Sequence, residues 1–74
     1  MEHTNLDELI TANLKYEIES CGKKKKDIAK AMGVSCATIS EYCYGRSQPT
    51  LANLSRLCNV IGASADEILG IKKF

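Results

Sequence analysis

Four thiols and one imidazole are the side chains here with the most evident covalent and metal chemistry: Cys21, Cys36, Cys43, Cys58 and His3. Groups of this kind ligate soft metals, attack electrophiles or exchange disulfides. Their spacing argues against each use. The cysteines stand 15, 7 and 15 residues apart with no C-x-x-C, so a tetrahedral metal site would need four thiolates to converge without one local pair. A disulfide scaffold would suit a secreted chain, yet no basic and apolar leader follows Met1, where Glu2 and Asp7 are the early charges. The expectation is reduced cysteines used as small apolar residues in a cytoplasmic protein, with no cofactor and no metal. Cys58 is expected in the core, Cys21 is incidental at a helix end, and Cys36 and Cys43 fall on one face of a single helix.

The remaining chemistry is electrostatic. Ten Lys+Arg against nine Asp+Glu give a net charge of +1, a total that says nothing about partners. Its distribution says more. Residues 1–19 carry five acidic groups and one basic, whereas residues 20–50 carry six basic groups (Lys23, Lys24, Lys25, Lys26, Lys30, Arg46) and two acidic. A nearly neutral chain thus has a basic middle third, as a polyanion-binding surface requires.

Five short helices must position these groups. A stripe of Leu6, Leu9, Ile10, Leu14 and Ile18 predicts an amphipathic helix from Leu6 to Cys21, capped by Asn5 with Glu8 or by Thr4 with Asp7 and stopped at Gly22. A second helix is expected over Lys25 to Met32, ending at Gly33, and a third from a Ser35 cap to Tyr44–Gly45 with Ile39 and Tyr42 inward. Pro49 and Thr50 open a fourth over Leu51 to Ile61, with Leu51, Leu54, Leu57, Cys58 and Ile61 as its apolar stripe. Ser64 is expected to cap a short fifth helix holding Ile68 and Leu69. Sustained alternation is missing, so the fold class is all-α. The 74 residues form one domain with a core of about 6–69, built from aliphatic side chains because Trp is absent and Phe occurs once. No apolar run reaches the ~18 residues of a membrane span.

The informative stretch is Asp27-Ile28-Ala29-Lys30-Ala31-Met32-Gly33-Val34-Ser35-Cys36-Ala37-Thr38-Ile39-Ser40. It reads as helix, break, helix: small Ala29 where the second helix crosses, Gly33 at the turn, and Val34 and Ile39 plugging the angle. These are the physical requirements of a helix-turn-helix, which presents its second helix to a DNA major groove. With Gly45, Pro49-Thr50-Leu51, Leu54, Leu57-Cys58, Ile61-Gly62-Ala63-Ser64 and Asp66-Glu67-Ile68-Leu69 following in order, the chain resembles the phage-repressor/Cro-type helix-turn-helix family, also called the XRE family, over about residues 6–69.

That resemblance implies a five-helix, lambda-repressor-like domain that binds double-stranded DNA, usually as a dimer on a palindromic operator, and acts as a repressor or activator in the bacterial or phage cytoplasm. Carried over residue by residue, it puts Ser35 on a phosphate at the start of the recognition helix, about 35–44, and Cys36, Ala37 and Glu41 at base edges. Ser40 falls nearer the backbone. Lys25 and Lys26 at the start of the second helix, and Tyr44, Arg46, Ser47 and Gln48 after the third, meet phosphates. Tyr16 and Tyr42 are expected as core or rim residues. Lys25 stands where the family commonly has Gln, and Cys43 where Glu is frequent. The base-facing set is donor-poor: Glu41 can accept from cytosine N4, and Ala37 or Cys36 can touch a thymine methyl, with no Arg, Asn or Gln for bidentate reading. Affinity is therefore expected to lean on phosphate contacts and DNA shape. Ile68, Ile71 and Phe74, taken as exposed, are the candidate dimer interface. A second reading, an antitoxin or other protein-interaction module with a toxin-like partner, rests on that donor-poor helix and the acidic first helix. An enzyme is disfavoured by the single histidine and the want of a glycine-rich phosphate loop.

Overall fold

The structure is a computed structural model that describes residues 5–71. It contains five helices: α1 (Leu6–Ser20), α2 (Lys25–Met32), α3 (Cys36–Tyr44), α4 (Leu51–Ile61) and α5 (Ala65–Leu69). The described residues contain no strand. None of their helices is long and apolar enough to cross a membrane.

Local chemistry sets most of the boundaries. The Asn5 side chain accepts from the Glu8 amide at 3.2 Å, Ser35 Oγ from the Thr38 amide at 3.1 Å, and Thr50 Oγ1 from the Asn53 amide at 3.1 Å. Each bond satisfies one of the amides that a helix start leaves without a partner. Gly33 closes α2 in the left-handed region, φ 76°, where its amide reaches Lys30 O and the Val34 amide reaches Ala29 O at 3.0 Å. That back-folded end is what brings α3 across α2 after only three residues.

One boundary and one cap differ from the sequence expectation. The first helix ends at Ser20 rather than Cys21, whose thiol instead donates to Ile18 O at 3.2 Å. Ser64 sits at the N-cap of α5 without a side-chain cap bond.

The core lies where α1 and α3, α2 and α3, α1 and α5, and α2 and α4 meet. Leu14 and Ile18 of α1, Ile28 of α2, Ile39 of α3, Leu57 of α4 and Ile68 of α5 are its fully buried side chains. Ala29 and Met32 are buried beside them, and Val34 packs against the cluster from the turn. The stripe of α4 is narrower than its sequence suggests: Leu51 is exposed and Ile61 half-buried, leaving Leu54 and Leu57 as its buried pair.

Ile68 corrects an expectation about assembly. It is fully buried, turned inward between α1 and α4, and so unavailable to a second copy. Ile71 is exposed as expected, and Phe74 lies outside the described residues.

Candidate nucleic-acid interface

α3 buries one side and frees the other. Ile39, Tyr42 and Cys43 face the core, while Cys36, Ala37, Glu41 and Tyr44 are exposed. Positions 37, 41 and 44 recur at helical spacing and so form one outward ridge. Along it runs a surface cleft of about 320 Å³ lined by Ala37, Ser40, Glu41, Tyr44 and Arg46. Arg46 is held there by its backbone, whose amide donates to Glu41 O at 3.0 Å as the chain turns at Gly45.

The N-terminal end of α3 is built around Ser35. Its hydroxyl accepts from the Thr38 amide and lies 2.9 Å from Thr38 Oγ1, so Thr38 pairs with the cap, as its half-buried position requires. Cys36, next in the chain, projects into solvent.

The second flank comes from α2. Lys24 occupies its N-cap with no side-chain bond to the helix, which leaves the first-turn amides of Lys25 and Lys26 without a capping acceptor. Lys23, Lys24 and Lys26 are exposed, and Lys25 is half-buried. The Lys25 ammonium lies 5.5 Å from the centroid of the Tyr44 ring, within cation–π range. This contact joins the first residue of α2 to the last of α3, and nothing in the local sequence announces it, because the partners are far apart in the chain and meet only through the crossing of the two helices.

The structure brings Ala37, Ser40, Glu41, Tyr44 and Arg46 together with Lys25 at one rim, and sets Cys36 and Ser35 at the other end of α3. Ser47 is half-buried in the loop. Gln48 is directed elsewhere: its amide lies 3.4 Å from Asp7 Oδ1 on α1.

The thiols divide sharply. All four are unpaired, and no three His, Cys, Asp or Glu among the described residues gather as metal ligands do. Burial pushes the Cys43 thiol above its ordinary pKa, with Lys25 pulling the other way, and burial followed by the nearby Glu17 carboxylate does the same to Cys58. Both stay protonated and unreactive at neutral pH.

The helix-turn-helix family model HTH_3 matches residues 14–68. Among solved structures, the clp gene regulator ClgR from C. glutamicum superposes with a TM-score of 0.77 at 28% identity, covering 92% of this chain and 87% of that one. The SOS-response transcriptional repressor LexA from Eubacterium rectale superposes with a TM-score of 0.78 at 24% identity, over 100% of this chain and 79% of that one, a likeness of fold. The replication factor C small subunit of Methanocaldococcus jannaschii is 24% identical over 68 residues, which are 92% of this chain but only 4% of that protein. The chain therefore spans a small fraction of that relative's length.

Proposed function

The chain belongs to the helix-turn-helix family HTH_3, and from that membership we propose that it binds double-stranded DNA sequence-specifically as a small transcriptional regulator, a repressor with α3 in the major groove. The observation that carries the proposal is the outward ridge of α3, which has no role in the core, with Arg46 lining its cleft and Lys25 over the ring of Tyr44. A helix inserted in the groove needs such a free face and cations beside it to meet the two phosphate backbones.

In this reading Cys36, Ala37 and Glu41 face base edges. Glu41 accepts from cytosine N4, and Ala37 and Cys36 lie against thymine methyl groups. Ser35, Ser40, Lys25, Lys26, Arg46 and Ser47 contact phosphate, with the Tyr44 ring beside Lys25, and the uncapped start of α2 offers its amides to the same backbone. Gln48 contributes after exchanging its contact with Asp7. A homodimer would read a palindromic operator whose half-sites lie about 34 Å apart, with exposed Ile71 contributing to the contact between copies.

The experiment is selection of bound sequences from a random duplex pool, followed by titration of the selected duplex at increasing salt. An enriched palindrome whose affinity falls steeply with salt supports the proposal. No enrichment at low salt removes it.

The acidic, solvent-facing side of α1, with exposed Tyr16 beside Glu19 and Ser20, favours a second reading in which a protein partner such as a toxin docks there. Stoichiometric co-purification of a partner without any DNA binding would replace the first reading by this one.

A further inference from the structure

Resting on the DNA-binding reading, we propose that Tyr44 is a positioning residue for Lys25: the ring holds the ammonium at the rim of the α3 cleft, aimed at a DNA phosphate before DNA arrives. Three observations carry this. The ammonium lies 5.5 Å from the ring centroid, so the ring face rather than the phenol oxygen is what Lys25 meets. Tyr44 is 64% exposed, so core packing does not account for a large aromatic at the last position of α3. And α3 has no basic residue in its own last turn, so the cation over its last residue, Tyr44, comes from α2 as Lys25.

The consequence follows from the chemistry of lysine. Its four-carbon stem is flexible, and ordering it on a phosphate costs conformational freedom at the moment of binding. A stem already laid across Tyr44 has lost part of that freedom in the free protein. Tyr44 then acts through Lys25, and the ring is the part that matters.

The test uses a fluorescein-labelled random-sequence duplex at low salt with Tyr44→Phe, Tyr44→Leu, Lys25→Met and the Tyr44→Leu/Lys25→Met pair. Tyr44→Leu should weaken binding about three- to fivefold, the factor of an exposed cation–π contact. Tyr44→Phe should stay within about twofold of the unaltered protein, and Tyr44→Leu should cost nothing further once Lys25 is Met. In the free protein, the Lys25 ε-methylene protons should show an upfield ring-current shift that Tyr44→Phe keeps and Tyr44→Leu abolishes. Equal losses for Phe and Leu would assign Tyr44 a direct hydroxyl–phosphate bond and overturn the proposal. So would additive losses in the double variant, or unshifted Lys25 protons. If the unaltered protein fails to bind the duplex while the ring-current shift is present, the DNA-binding reading falls and the Lys25–Tyr44 contact stands.

Discussion

Cys36 and Cys43 lie on one side of α3 by helical arithmetic, yet the first is exposed and the second buried. Seven residues are two turns, so azimuth is shared while position along the axis differs by about 10 Å. Cys36 is the first residue of α3 and Cys43 stands in its last turn. Sequence periodicity reports azimuth alone, which is why the environment of each thiol was not legible in it. The difference predicts chemistry: under a thiol-specific alkylating reagent at neutral pH, Cys36 should modify at least tenfold faster than Cys43 or Cys58, measured by mass of the modified peptides. Equal rates would contradict the packing. The raised values also set a pH dependence. A thiol whose pKa is higher folded than unfolded contributes fully below the ordinary value of 9.0 and loses its contribution as pH climbs past it. Urea midpoints should therefore be lower above that pH, and replacing Cys43 by Ala should lessen the drop.

At the scale of elements, glycine separates two kinds of constraint. Gly33 and Gly45 both end helices with positive φ, but a Cβ at Gly33 would meet nothing within 4 Å, whereas at Gly45 it would lie 3.2 Å from Thr11 Cγ2 and Oγ1. Gly33→Ala should cost about 1 kcal/mol, the backbone strain alone, and Gly45→Ala should cost more because α1 must also give way. Urea unfolding of both variants compares them directly. A second cross-chain tie is Asn13, whose amide donates to Glu67 O at 3.2 Å and Ile68 O at 3.0 Å and so fastens the end of α5 to α1. Asn13→Ala should cost about 1 kcal/mol. The end of α2 and both limits of α4 were legible because caps and glycines mark helix ends locally. The inward face of Ile68 was not, since five residues are too few to display a stripe. Nor was the Gln48–Asp7 approach, which depends on where the loop after α3 returns to α1. For the site, Ala37 and Glu41 were singled out by the family resemblance, while Lys25 over Tyr44 needed the crossing of two helices.

For the whole molecule, the net charge of +1 conceals an uneven distribution: five acidic groups and one basic over residues 1–19, six basic and two acidic over residues 20–50. Such a distribution concentrates cations in the segment that carries α2, α3 and the turn after it, while the low total leaves the overall attraction to a polyanion modest. Lys25→Ala and Arg46→Ala should each weaken DNA binding on every sequence and each flatten the salt dependence by about one unit of slope. Glu41→Ala should instead change the preferred base at one operator position. The most direct test of the central claim is the logarithm of the association constant for the selected duplex measured against the logarithm of salt concentration. The account predicts a steep negative line for the unaltered protein and shallower lines for Lys25→Ala and Arg46→Ala. Binding indifferent to salt, or slopes unchanged by either substitution, would contradict it.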